Sequence, residues 1–505
     1  MSQSISVVYP PKSTYHVVRS CAALNLSWHE RLALGLGIFE IPIQFDKYFM
    51  FHQHDAELGA VGGFNVSITS ICFAYLYAVW FAGSAVHRQN RQQKFLIGIP
   101  QIFYLSTVAI SIFAASVPLL AMFDLFLLMQ AYAIFFYLAN RLKTYEDLVF
   151  SILMLAATMT MQSLLIFGLA SLGSGAAGQD YRFGPVLLSV WPDGRIAGSL
   201  HSAVVAGSLL AILWLPVMAL NLSVRSRRIC FLSAGAMAAG ILALLLTQTR
   251  GAVLTVGIGT IVIGLGMSLR GWLPKWAILF ALILAIVGVV PLAYLVQKRV
   301  MGDDEGSAES RKHLSLIAME TISHRPLFGY GAGNCHIACE PVANSGMFRS
   351  EWYYTIHCKY LLVWVETGVF GLLAFLLVLG NGLRQGLSAW AARDRLLSPL
   401  GLACAAAIAG HMVHMFVDIF NSRPQVETLW TVLGITAAIH QHTCLKPNSA
   451  HFEPQRASVR AGTPLNNCDS GPHASALGLK IHKVSAIGLK PSDRKMRMEG
   501  AFYVT

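Results

Sequence analysis

"LLLTQTRGAVLTVGIG", residues 244–259, decides the class of fold. Two apolar runs meet at one arginine, Arg250, behind the short polar stretch Thr247-Gln248-Thr249. A guanidinium stays charged at any workable pH, so the two runs read as separate membrane spans joined by a tight turn. Arg250 then lies at a membrane surface, either as a loop charge or as a group holding something negative.

The rest of the chain extends this reading. Mean hydropathy is +0.57, and 12% of the 505 residues are charged, against about 25% in a soluble domain. Long apolar runs recur from about residue 32 to residue 441. The fold class is an all-α polytopic membrane protein, without the strand-length alternation of an outer-membrane barrel. Residues 1–31 carry no apolar h-region before a small-residue cleavage site, so the first span serves as the targeting signal. The net charge of +12 reads as cytoplasmic loop charge rather than nucleic-acid binding, because no basic patch is interleaved with aromatics. Most of the nine cysteines lie in apolar runs, as small core residues.

About twelve transmembrane helices are predicted, at 32–50, 66–86, 95–113, 117–139, 148–172, 199–221, 229–248, 251–269, 276–296, 358–380, 398–419 and 424–442. Glu40, Pro42 and Asp46 interrupt the first. One set of connecting segments holds sixteen Lys and Arg, among them Arg31, Arg141, Arg270 and Arg393. The opposite set holds five: Lys47, Arg182, Arg195, Arg250 and Arg423. The bias puts both termini in the cytoplasm. Four regions follow: a cytoplasmic N-terminus (1–31), an N-terminal transmembrane bundle (32–194), a transmembrane core (195–443), and a basic, disordered cytoplasmic tail (444–505). The core includes one long extracytoplasmic loop, 297–357, which contains a helix. Leu314, Ile317, Ala318 and Ile322 recur there at helical spacing before a Pro–Gly-rich turn.

The polar residues gather on the extracytoplasmic side. Span seven ends at Thr247, which leaves Arg250 at the outer surface; Arg311 lies on the loop helix, His357 opens span ten and His201 opens span six. His411, His414 and Asp418 follow one helical face of span eleven. Charges in spans cost roughly 2.5–3.5 kcal/mol each and face a cavity or a partner. Two arginine forks suit a diphosphate, and a neutral histidine suits proton removal from a hydroxyl. Together they suit a phosphorylated lipid whose sugar is passed to an acceptor hydroxyl. Each residue alone also has a plain reading, as an interfacial charge or a satisfied core histidine; their convergence carries the argument. Glu366 lies about 13.5 Å beyond His357 along a helix and reads as a structural, paired carboxylate.

At this point the motifs resemble the O-antigen ligase and polymerase family of bacterial inner membranes, over about residues 195–440. "RIAGSLHSAVVAG" (195–207) is similar to the family's Arg-x-x-Gly region opening a span. "TQTRGAVL" (247–254) resembles its Ser-x-x-Arg-Gly/Ala turn. "RKHLSLIAMETISHRPLFGYGAGN" (311–334) resembles its Arg…Pro-Leu-x-Gly-x-Gly-x-Gly segment, and "HCKYLLVWVETGVFGLLAFLL" (357–377) its His-Asn…Glu-x-Gly-x-x-Gly motif. The sequence departs at Cys358, where Asn is usual. The resemblance implies an all-helical, metal-independent, inverting glycosyltransferase without a cofactor. Its donor would be an undecaprenyl-diphosphate-linked glycan, and its acceptor a lipid core or a lipid-linked repeat unit. By resemblance Arg250 and Arg311 bind the diphosphate, and His357 activates the acceptor. Arg195, His201, His414 and Asp418 are expected near the substrate cavity.

Two other readings are weighed. A lipid-linked sugar flippase would place polar groups near the midplane and show internal repeats, and none is found. A metal-dependent glycosyltransferase would use Asp46, His52, His54, Asp55 and Glu57 of the first outer loop. A Cys335–Cys358 or Cys339–Cys358 disulfide is also open on an oxidising face.

Overall fold

In a computed structural model, residues 26–86, 95–184, 186–273, 307–345 and 355–444 are described. The span expected at 276–296, the first part of the long loop, and the tail from residue 445 lie outside them. Among the described residues seven helices are long and apolar enough to cross a membrane. They are α5 (Pro118–Arg141), α6 (Tyr145–Ala170), α7 (Ala203–Ser223), α8 (Arg227–Thr247), α9 (Arg250–Leu269), α12 (Lys359–Ala391) and α13 (Leu397–His414). The protein is a multi-pass membrane protein. Helices α1 (Trp28–Glu40), α3 (Ile68–Val86), α4 (Ile99–Ser111) and α14 (Arg423–Cys444) occupy four more expected spans.

The helices alternate in direction. At one end, the Arg31 guanidinium meets Asp147 at 2.9 Å and Arg141 meets Glu30 at 2.6 Å. Tyr145 donates to Asp394 at 2.8 Å there. At the other end, Thr249 donates to the Ala203 carbonyl at 2.9 Å, and the Lys359 N–H to the Met415 carbonyl at 2.8 Å. That second end is called the histidine end below. Helix α7 is the core: its residues from Ala203 to Leu220 are nearly all buried, packed among α6, α8, α9 and α13.

Several boundaries differ from the sequence reading. The first run stops at Glu40, because Pro42 interrupts it and the Glu40 carboxylate takes up the Phe45 N–H at 2.8 Å and the Thr69 hydroxyl at 2.6 Å. The chain then forms strand β1 (Asp46–Phe49), a short helix α2 (Gln53–Glu57) and strand β2 (Phe64–Ser67), with Asp46 opposite Ser67 and Phe49 opposite Phe64. The segment after α6 holds a three-stranded antiparallel sheet, β3 (Asp180–Phe183), β4 (Val186–Val190) and β5 (Ile196–Gly198). Helix α13 ends at His414, so Asp418 lies beyond the helix rather than on its face. Arg423, counted above as a loop charge, is buried.

The amphipathic helix read at 311–322 is present as α10 (Ser307–His324), with Leu314, Ile317, Ala318 and Ile322 buried. The loop after it runs against the middle of α12. The N–H groups of Tyr330 and Gly331 take the carbonyls of Val365 and Glu366 at 2.9 and 2.8 Å, and the Val369 N–H takes the Pro326 carbonyl at 2.9 Å. These bonds use carbonyls that the helix would otherwise spend on its next turn. Helix α12 is accordingly broken at Gly368, whose φ of 68° and ψ of −173° are open essentially to glycine alone.

Candidate functional site at the histidine end

Arg250 is placed by the turn that precedes it. Gln248 adopts a left-handed conformation with φ 52°, and buried Thr249 is extended and bonded to Ala203. Arg250 therefore opens α9 at a helix N-terminus that has no side-chain cap, where free N–H groups favour an anion. The next residue, Gly251, lies against the imidazole of His414.

His357 lies at a bend in the non-helical segment before α12. Thr355 upstream is bonded to the Leu58 carbonyl, and Lys359 downstream to Met415. Helix α10 is seated on the cluster formed by Ile356, Cys358, Leu362 and Val365 together with Cys335 and Cys339. This seat brings the Arg311 charge to bear on both His357 and His414. Burial first, and then Arg311, push the His357 imidazole below the usual histidine range; Asp418 and a hydrogen bond with the Thr355 backbone oppose them. Its neutral form, which can accept a proton, is thereby favoured.

Asp418 is 3.7 Å from the His414 Nε2 and accepts from Gln425 at 2.5 Å. His411 stands with its ring 5.5 Å from Phe420. Gly251, His414 and Asp418 thus adjoin where α9 meets the end of α13, and the charges of Arg311 and Asp418 act on His357. Arg195 and His201 are not joined to this group by any contact among the described residues. Arg195 is spent on Asp193 at 2.6 Å and lies over the Trp191 ring at 4.4 Å. His201, with φ 54°, offers its carbonyl to the Trp191 indole at 2.8 Å.

The residues at 46–57 go to separate partners. Asp46 pairs with Arg423 at 2.9 Å, Asp55 with His52 and His336, and Glu57 accepts from Gln53 at 2.8 Å. Among the described residues no three His, Cys, Asp or Glu side chains form a metal-binding group. Cys335, Cys339 and Cys358 are buried thiols, and the Cys335 and Cys339 sulfurs are 3.9 Å apart. Neither bridge to Cys358 considered above is made.

The sequence reading missed Lys359 and Asp124. Together with Glu366, Asn421 and Tyr104 they line a cavity of about 40 Å³ inside the bundle, room for a few waters. Lys359 is bonded to Asn421. Glu366 is buried and accepts the backbone N–H groups of Gly333 and Cys335. The signal was available in "AMFDLFLL" (121–128), where a carboxylate interrupts an apolar run.

No curated protein matches the chain. Residues 235–376 match the family model described as O-antigen ligase. That stretch includes Arg250, Arg311, the glycine-rich loop, His357 and the break at Gly368. Over that stretch the chain is similar to the O-antigen ligase family.

Proposed function

We propose that the protein transfers an undecaprenyl-diphosphate-linked glycan to an acceptor sugar hydroxyl, as an O-antigen or exopolysaccharide polymerase or ligase. It works at the extracytoplasmic face of a bacterial inner membrane, with both termini in the cytoplasm. One observation supports the reading: in a segment of O-antigen ligase type, Arg250 opens α9 next to Gly251, which lies against His414, and Arg311 acts on a histidine shifted toward its neutral form.

His357 takes the proton of the acceptor hydroxyl. The acceptor oxygen attacks the anomeric carbon as the bond from that carbon to the diphosphate oxygen breaks. The electron pair leaves with the diphosphate, whose charge Arg250 and Arg311 hold. A single displacement inverts the anomeric centre. The two fixed guanidinium charges do what a metal ion would otherwise do, so we propose metal-independent transfer. Asp418 and His414 support the orientation of this group, and Glu366 holds the glycine-rich loop against α12.

The test is to express wild type, Arg250→Ala, Arg311→Ala and His357→Ala in the native host, check protein levels, and separate the glycans on a gel. Loss of long glycan in all three well-expressed variants supports the reading. Accumulated single repeat units then indicate a polymerase, and polymer left on its lipid carrier indicates a ligase. Wild-type glycan from all three variants overturns it.

A further inference from the structure

We infer that the excursion between α1 and α3 is a brace for the histidine segment, with Asp55 as a positioning residue for His357. The inference rests on the reading of His357 as the base. The excursion lies outside the family-matched residues 235–376.

Two separate ties carry it. The Asp55 carboxylate is shared between two imidazoles: Oδ1 lies 2.9 Å from the His336 Nε2, and Oδ2 lies 3.2 Å from the His52 Nδ1. His336 is buried on α11 (Cys335–Ala343), so this contact fixes that helix against the excursion. Three residues after Asp55, the Leu58 carbonyl accepts the Thr355 N–H at 3.2 Å and also the Thr355 hydroxyl. Thr355 is buried and stands two residues before His357. The backbone at that point belongs to no helix or strand, and Leu58 supplies its hydrogen-bond partner.

The excursion is stiff enough to serve. The His52 N–H is bonded to the Gly62 carbonyl at 2.7 Å, and the Ala60 N–H to the Asp55 carbonyl at 3.0 Å. The His52 ring meets Phe123 of α5 edge-on at 5.7 Å, and Asp46 at its base is held by buried Arg423. Helix α11 and the histidine segment also share an apolar cluster, in which Cys335 and Cys339 pack with Ile356 and Cys358. Release of α11 therefore loosens the residues on both sides of His357.

The experiment compares wild type with Asp55→Ala, Asp55→Glu and Thr355→Val, using purified full-length protein in detergent. One readout is the rate of maleimide labelling at Cys358, located by peptide mass mapping; this thiol is only 9% exposed and next to His357. The other is transfer activity, resolved into kcat and KM for the lipid-linked donor. Labelling at least several-fold faster, and kcat at least tenfold lower with KM little changed, are expected for Asp55→Ala and Thr355→Val. Partial rescue is expected in Asp55→Glu. Unchanged labelling overturns the brace. Faster labelling with unchanged kcat overturns the positioning role. If Asp55→Ala does not accumulate, Thr355→Val, which exchanges the hydroxyl bonded to Leu58 for a methyl group, tests the second tie, and unchanged labelling there overturns the brace. Failure of the functional reading is distinguished by His357→Ala: full activity there removes the base, while Cys358 labelling still reports on the brace.

Discussion

Gly251 sits directly beneath the imidazole of His414: a Cβ built on it would stand 2.9 Å from the His414 Nδ1. Only a hydrogen allows α9 to carry Arg250 this close to α13. Gly251→Ala gains up to about 1 kcal/mol in helix propensity but must displace either the imidazole or the start of α9. The expected result is a melting temperature close to wild type with KM for the lipid-linked donor raised several-fold. A variant with unaltered KM would show that the Arg250–His414 spacing does not matter to donor binding.

Activity should depend on the protonation of His357. Burial and Arg311 hold its pKa below the ordinary value, so the neutral base is present above that lowered pKa and lost as pH falls through it. Asp418 raises the pKa, and its removal should move the acid limb of kcat/KM further toward low pH. A profile for Asp418→Asn between about pH 5 and 8 checks the direction. A shift toward higher pH would contradict this account of the site.

Arg423 holds three carboxylates: Glu40 at 3.1 Å, Asp46 at 2.9 Å and Glu427 at 2.9 Å, all buried. Removing one side of a buried ion pair costs about 3–5 kcal/mol because charges are left unpaired. Arg423→Met should therefore abolish the monodisperse peak in size-exclusion chromatography, and Glu427→Gln should retain it. Equal behaviour of the two variants would mean the network tolerates loss of its cation.

The break in α12 makes a separate prediction. A Cβ at Gly368 would overlap the Leu327 carbonyl, and the backbone conformation there costs a non-glycine residue about 1–3 kcal/mol. Gly368→Ala should lower the melting temperature and the activity together. Gly380, which has open space around it, should accept alanine without loss. A neutral Gly368→Ala would mean the glycine-rich loop can leave α12 without consequence.

Much of the architecture was legible in the sequence. Apolar runs long enough to span a bilayer produced helices in the described residues, the first only as far as Glu40, because a helix satisfies its own backbone hydrogen bonds in lipid. The period of Leu314, Ile317, Ala318 and Ile322 gave α10 and its buried face. Arg250 could be placed at a helix start, since a fixed charge between two apolar runs has few places to go.

Partner choice was not legible. Arg423 looked like a loop charge, yet its three carboxylates come from 383 residues upstream, 377 upstream and one helical turn ahead. Asp55 looked like a cation ligand and is instead divided between two histidines, one of them 281 residues away. Arg195 matched a motif but folds back on its own Asp193. Hydropathy and periodicity are local properties of the chain, so the sequence by itself determined the helices, their alternation and the end of the bundle that gathers polar groups. Which charge meets which depends on helix packing across hundreds of residues, and tertiary structure alone decided that Arg423 meets Glu40 and Asp46, that Asp55 joins His336, and that Arg195 turns to Asp193.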